Sequence, residues 1–185
     1  MSRIRIISGS LRSRRLSVPP GGLIRPTSDR VREAIFNMVQ SRLPLQGASV
    51  LDLYCGTGAL GFEAISRGAT EAVFVDANPL VLACSRDNAE ELGIEDRCSF
   101  VRGDARTYLE SSSDTSYDLI LADPPYDTAD VEIIPEPALR HLEPGGVLVL
   151  EHDRNREIGP RAHLLLTRAY GRTAVSLFSP NRDED

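Results

Sequence analysis

SVLDLYCGTGALGFEAISRGATEAVFVD (49–76) decides the fold. Its first six residues, 49–54, are apolar almost throughout, the pattern of a strand buried on both faces. Three glycines follow as Gly56-x-Gly58-x-x-Gly61, a bend where the backbone can turn sharply and come close to a ligand. ALGFEAISRG (59–68) predicts a helix stopping at Gly68, and EAVFVD (71–76) predicts a second apolar strand. Strand, bend, helix and strand together make a βαβ unit with parallel strands.

The alternation continues downstream. PLVLACSRDNAEEL (79–92) predicts a helix with Pro79 in its first turn and Gly93 beyond its end. CSFVRGD (98–104) and YDLILAD (117–123) predict two more strands with a short helix between them. VEIIPEPALRHL (131–142) is helical in part, interrupted by two prolines, and VLVLEH (147–152) is the fifth apolar strand. HLLLTRAYGRTAVSLF (163–178) predicts an antiparallel hairpin about Tyr170-Gly171. Upstream, RIRII (3–7) and RRLSV (14–18) predict a small β-hairpin. Ser28 or Asp29 then caps a helix with Val31, Ile35, Met38 and Val39 on its apolar face and Arg30 and Arg32 on its polar face. The expected fold class is α/β: a Rossmann-like, mostly parallel seven-stranded sheet with helices on both faces, closed by an antiparallel C-terminal hairpin and preceded by a small N-terminal hairpin. Residues 1–22 are expected to form a basic arm and 23–185 the catalytic domain, in one compact unit.

Composition narrows the chemistry. The 185 residues include 21 basic side chains, every one arginine, so a Walker-A phosphate loop and Schiff-base catalysis are both excluded for want of lysine. No apolar run approaches the roughly 20 residues that span a bilayer, and the N-terminus lacks the apolar run of a signal peptide, so a cytoplasmic protein without membrane contact is expected. Cys55, Cys84 and Cys98 form no CxxC pair and read as reduced thiols, Cys55 as packing. His141, His152 and His163 share no metal-ligand spacing with them, so no metal is expected. The net charge of −6 is uneven. Residues 1–42 hold nine arginines against Asp29 and Glu33, a local +7, and the remainder carries −13. A basic arm on an acidic body points to local contact with a polyanion.

In a parallel sheet of this kind ligands bind at the carboxyl ends of the strands, and four of the predicted strands end in an acid: Asp52, Asp76, Asp104 and Asp123. A carboxylate at Asp52 would repel a pyrophosphate, so the glycine bend suits a cationic ligand bearing a ribose, such as S-adenosylmethionine, better than a dinucleotide. Asp76 would then meet the ribose diol and Asp104 the adenine amine. Asp123-Pro124-Pro125-Tyr126 is the sharpest signal. Two prolines fix the backbone so that the Asp123 carboxylate and the adjacent carbonyls present oriented acceptors, and Tyr126 offers a stacking face. That set suits an exocyclic amine on a nucleobase. Glu151, ending the fifth strand, is open between a place near this crevice and a surface or hairpin salt bridge.

These stretches carry a resemblance. DLYCGTGALGFEAISRGA (52–69) and DPPY (123–126) resemble motifs I and IV of class I amino-methyltransferases. RPTSDRVREAIFN (25–37), preceded by RIISGSLRSRRLSVPPG (5–21), resembles the N-terminal signature of the RsmD family of small-subunit ribosomal RNA (guanine-N2)-methyltransferases. The resemblance spans essentially the whole chain and implies a class I methyltransferase fold with S-adenosylmethionine as cofactor. It implies that Thr27, Asp52, Tyr54, Gly56, Gly58, Asp76, Ala77, Asp104, Ala105 and Asp123 line the cofactor, with Thr27 closing over it. It further implies that Asp123, Pro124, Pro125 and Tyr126 receive the guanine, and that Arg3, Arg5, Arg12, Arg14, Arg15 and Arg30 grip ribosomal RNA, within a small-subunit ribonucleoprotein particle and with no dimer required. The chain departs from the family pattern in the hairpin, with Ser8-Gly9, Leu11 and Ser13 where a glycine pair, an aromatic residue and a further glycine are usual. The competing readings are an amino-methyltransferase acting on DNA adenine or protein glutamine, a nicotinamide-dependent oxidoreductase, and a non-catalytic RNA-binding module.

Overall fold

Alternate residues of each central strand pack against opposite faces of one sheet, and helices cover both. The computed structural model describes residues 4–19, 27–111, 115–125, 130–156 and 158–180. In chain order the elements are β1 (Ile4–Arg5), β2 (Arg15–Leu16), α1 (Asp29–Gln40), β3 (Ser49–Leu53), α2 (Ala59–Ser66), β4 (Glu71–Asp76), α3 (Pro79–Leu92), β5 (Cys98–Arg102), α4 (Ala105–Ser111), β6 (Tyr117–Ala122), α5 (Asp130–Ile133), α6 (Pro135–Arg140), β7 (Leu142–Asp153), β8 (Leu164–Tyr170) and β9 (Thr173–Phe178). The sheet order is β5-β4-β3-β6-β7-β9-β8. The first five of these strands are parallel and β9 is antiparallel to both its neighbours. On β6, Leu119 and Leu121 pack with α1, α2, α3 and the hairpin, while Ile120 and Ala122 pack with α4, α5 and α6. The α/β architecture expected from the sequence is present.

Boundaries follow local chemistry. Asn78 caps α3 through its side chain, Pro79 opens the helix, and Gly93 ends it in the left-handed conformation. Ser28 caps α1 by accepting from the Val31 N–H. Two expectations shift. The fifth parallel strand begins at Leu142 and not at Val147, because a register irregularity against Tyr117 and Leu119 absorbs the Gly145-Gly146 pair. Arg32, expected on the polar face of α1, is buried. Its Nη2 donates to the Arg5 carbonyl (2.6 Å) and pairs with Asp29 (2.8 Å), and Nη1 donates to the Thr27 carbonyl (3.3 Å). A buried guanidinium is tolerated there because these groups offset its desolvation.

The N-terminal hairpin is part of the core. Ile4, Ile6 and Leu16 are buried against the α2 side of the sheet. Between hairpin and sheet, α2 is covered on both sides, so nearly every residue in it is buried. Glu63, fully buried on α2, accepts the N–H of Ile7 (2.7 Å) and of Ser8 (3.0 Å) and pairs with Arg67 at 2.8 Å. Ser66 accepts the Leu11 N–H at 2.9 Å and donates to the Ser8 carbonyl at 2.5 Å.

Two hairpin positions make opposite demands. A Cβ on Gly9 (φ +84°) would lie 1.8 Å from the Ser66 carbonyl oxygen. Ser13, where the resemblance implies a glycine, takes φ 68° with a side chain attached, which costs roughly 1–2 kcal/mol before the greater unfolded-state freedom of glycine is deducted. Gly9→Ala is expected to destabilise the fold by about 2 kcal/mol or more. Ser13→Gly is expected to stabilise it by about 0.5–1 kcal/mol. Urea titration of the two variants beside the parent measures both signs.

Candidate active site

Strand order reverses at β3, which has β4 on one side and β6 on the other. Side chains from successive tips therefore converge where the connecting helices diverge. Register sets the neighbours: Leu53 lies opposite Val75 and Ala122, and Ala122 lies opposite Leu150. One residue beyond Ala122 and Leu150 stand Asp123 and Glu151.

The bend after β3 is built from left-handed residues. Tyr54 (φ 57°), Gly56 (φ 57°) and Gly58 (φ 78°) all have positive φ. A tyrosine held there is uncommon, and such conformations concentrate at binding sites. Gly61 has to be glycine for a different reason. A Cβ would come within 2.4 Å of the Phe74 ring and 3.1 Å of the Asp52 carboxylate. Asp52, only 1% exposed, accepts the Gly61 N–H at 2.9 Å. Burial pushes its carboxyl well above the usual range. The Gly61 bond opposes that shift, and the charges of Asp123 and Asp76 add to it.

Asp76 is oriented by two backbone donors, Gly56 N–H (3.1 Å) and Asn78 N–H (2.9 Å), and stands beside exposed Ala77. Ser85 and Asn88 of α3 brace the bend from below: Ser85 donates to the Gly56 carbonyl at 2.5 Å and Asn88 to the Thr57 carbonyl at 3.1 Å. Asp104 is exposed, and its Oδ1 caps α4 by accepting from the Thr107 N–H at 2.9 Å; buried Ala105 begins that helix. Cys55 is buried, and burial raises its thiol pKa, as suits packing.

At the β6 tip, Asp123 is half-buried, Pro124 buried and Pro125 exposed, while Tyr126 lies outside the described residues. Thr27 bridges this tip to the next: its hydroxyl donates to Asp123 Oδ2 at 2.8 Å and lies 3.2 Å from Glu151 Oε2. Glu151 is buried, which excludes a surface salt bridge, and its contact with Thr27 places its carboxylate beside the Asp123 tip. Thr27 is itself held by Arg32. The sequence carried one signal for Glu151, an acid terminating an otherwise apolar strand, and none for Arg32.

The basic residues are less uniform than the charge count. Arg5 pairs with Asp29 at 3.0 Å, and Arg14 donates to the Glu91 carbonyl. Arg12, Arg15 and Arg30 are exposed, and Arg3 lies outside the described residues. Among the described residues, no group of three or more His, Cys, Asp and Glu is arranged to hold a metal ion, and no helix is long and apolar enough to cross a membrane.

The donor set fits a cationic ligand with a diol. Asp52 and its acidic neighbours favour positive charge, and Asp76 is a pre-oriented acceptor pair. The chain is similar to proteins named as methyltransferases. The family described as Conserved hypothetical protein 95 matches residues 4–179. YlbH of Bacillus subtilis (strain 168), provisionally named an rRNA methyltransferase, is 35% identical over 184 residues, covering 95% of this chain and 98% of that protein. Ribosomal RNA small subunit methyltransferase D of Escherichia coli (strain K12) is 36% identical over 124 residues, 67% of this chain and 61% of that protein. Among solved structures, yhhF of Escherichia coli, provisionally named a methyltransferase, superposes with a TM-score of 0.79 at 29% identity, covering 96% of this chain and 97% of that one.

Because burial raises the Asp52 carboxyl, ionising it opposes folding. Stability should fall as pH rises from about 4, the ordinary carboxylate value, through the raised one. Asp52→Asn removes that ionisation. Its melting temperature is expected to exceed the parent's at pH 8 and the gap to close toward pH 4, at about 1.4 kcal/mol for each unit of pKa elevation. Melting curves across that range check the sign.

Proposed function

The chain belongs to the Conserved hypothetical protein 95 family, bearing out the RsmD resemblance, and from that premise we propose that it is an S-adenosylmethionine-dependent methyltransferase acting on guanine N2 in small-subunit ribosomal RNA. The observation that supports this most is the convergence of Asp52, Asp76, Asp123 and Glu151 at adjacent strand tips, with Thr27 between the last two. S-adenosylmethionine supplies a methyl group on a positively charged sulfur, already a good leaving group.

The chain's residues position and polarise. Asp52, Tyr54, Gly56 and Gly58 take the methionine part, Asp76 and Ala77 the ribose, and Asp104 with Ala105 the adenine. Asp123 and the carbonyl of Pro124 accept the two amine hydrogens of the guanine, aiming the nitrogen lone pair at the methyl, and Tyr126 stacks on the base. Positioning of this kind is worth up to about 7–11 kcal/mol of barrier in favourable cases. Thr27 acts on the target side: it fixes the Asp123 carboxylate and keeps it apart from Glu151. The exposed Arg12, Arg15 and Arg30, with Arg3, Arg5 and Arg14, contact ribosomal RNA, in the cytoplasm and within a small-subunit particle. A nicotinamide-dependent oxidoreductase leaves the Asp-Pro-Pro-Tyr turn and the buried acid at the bend without a role.

The direct test incubates the protein and labelled S-adenosylmethionine with small subunits lacking the modification, then maps the label by mass spectrometry. Label on a guanine N2 is expected; label elsewhere or none at all counts against the reading. Asp123→Ala should lower turnover by at least about a hundredfold, some 2.7 kcal/mol, with calorimetric cofactor affinity within about threefold of the parent. Thr27→Val separates two roles. Action through Asp123 predicts a kcat lower by about tenfold, or 1.4 kcal/mol, with unchanged cofactor affinity and rescue by Thr27→Ser. A lid over the cofactor predicts the loss in affinity instead.

A further inference from the structure

The chain has two basic segments. Beyond the N-terminal one, residues 153–172 hold five arginines (154, 156, 161, 168 and 172) against Asp153 and Glu157, a local excess of three within an otherwise acidic body.

Strand direction gathers four of the five at the active-site edge of the sheet. β7 runs toward the strand tips, carries Glu151 there and ends at Asp153, so Arg154 comes next. Asp153 lies opposite Thr173 on β9, and Thr173 opposite Tyr170 on β8, so the turn bearing Arg172 sits beside the end of β7. Arg154 fastens the two together: its N–H donates to the Arg172 carbonyl at 2.9 Å and its Nη1 to the Gly171 carbonyl at 3.3 Å. Arg168 lies opposite Val175, itself opposite Glu151, so these three form one line across the sheet. Arg161 lies at the other end, beside the Leu164–Phe178 pairing.

Exposure and pairing distinguish them further. Arg156 is committed to Glu132 at 3.0 Å. Arg154 and Arg168 are exposed. The Arg172 side chain is 89% exposed and lies 3.8 Å from Asp153, a loose contact. Three residues of strand or two strand spacings separate these side chains' backbones from Glu151, about 10 Å either way. Arg5 of the N-terminal hairpin pairs with Asp29, two residues from Thr27, but Arg14 and the hairpin tip are farther away. Arg14 bonds the carbonyl of Glu91 near the end of α3, while the site lies at Pro79, about 18 Å along the helix at 1.5 Å per residue. The hairpin tip is likewise fixed to Ser66, the last residue of α2.

We propose that Arg154, Arg168 and Arg172 contact the phosphodiester backbone of the RNA immediately flanking the target nucleotide, and that Arg12 and Arg14, toward the hairpin tip, grip RNA more distant from it. The inference rests on the reading of the substrate as RNA. An RNA strand that delivers a base to Asp123 must bring its phosphates up to a rim of carboxylates. Cations within about 10 Å offset that repulsion, and guanidinium forks match phosphate oxygens.

The test compares the parent with Arg154→Ala/Arg168→Ala/Arg172→Ala, and with Arg168→Ala/Arg172→Ala, which keeps the Arg154 side-chain bond to Gly171. Binding to small subunits lacking the modification is titrated against salt, and methyl transfer is followed on the same particles. The triple variant should lower the slope of log affinity on log salt by about 2–3, at 0.7–0.9 for each phosphate contact. It should also raise KM for the particle tenfold or more, with kcat at saturation and cofactor affinity within about twofold of the parent. The double variant should show about two-thirds of the slope change. Unchanged slope and KM in both variants overturn the proposal. So does weaker binding at an unchanged slope, which would mark a ribosomal protein as the partner. If the parent transfers no methyl to any such particle, the functional reading fails separately, and the slope measured on naked ribosomal RNA still decides the surface.

Discussion

Helix α2 is pinned on both sides, and the site depends on it. On its inner side Gly61 lets the helix approach Phe74 so closely that no side chain fits, and the Gly61 N–H holds the buried Asp52 carboxyl. On its outer side Glu63 and Ser66 receive the backbone of the hairpin. The glycine bend at the start of this helix is therefore anchored to the centre of the sheet at one end and to the N-terminal segment at the other. A binding turn made of left-handed residues keeps its shape only when its surroundings over-determine it. Here Ser85, Asn88 and Asp76 complete that determination from α3 and β4.

The electrostatic plan follows from the same geometry. Acids collect at the strand tips because the reversal of strand order brings four of them together, and Asp52 is held there at the expense of its own ionisation. Among the described residues, Arg32 is buried behind Thr27, and Arg154, Arg168 and Arg172 stand exposed around the centre. An acidic interior suits a cationic cofactor, and a basic rim suits a polyanionic substrate. One small acidic protein can thus hold ligands of opposite charge side by side.

The elements were largely legible in the sequence because their signals are local. Continuous apolar runs mark buried parallel strands, and Pro79 and Gly93 bracket α3 within the residues expected. The acids at strand tips were legible for the same reason. Arg32 was not. Helical periodicity tells which face an arginine is on, but not that a hairpin distant in sequence will cover that face and present carbonyls to it. Thr27 and Glu151 were partly legible. Glu151 stands out as an acid ending an apolar strand and Thr27 only through the family resemblance, and the contact of Thr27 with both Asp123 and Glu151 arises only when the chain before α1 reaches across to the tips of β6 and β7. The split of basic charge into near and far groups was hidden as well, since it depends on which way each strand runs.

Buried Asn88 links Ser17 of the hairpin, by bonds of 2.7 and 3.1 Å, to the carbonyl of Thr57 in the glycine bend. The N-terminal segment is thus a structural partner of the glycine bend and not an appendage. A shortened protein lacking its first eighteen residues would lose more than arginines. It would leave a fully buried glutamate and an apolar helix face open to water, and the bend without one of its braces. Poor solubility and weak cofactor retention in such a truncation would report on folding, and would be mistaken for a defect in RNA recognition.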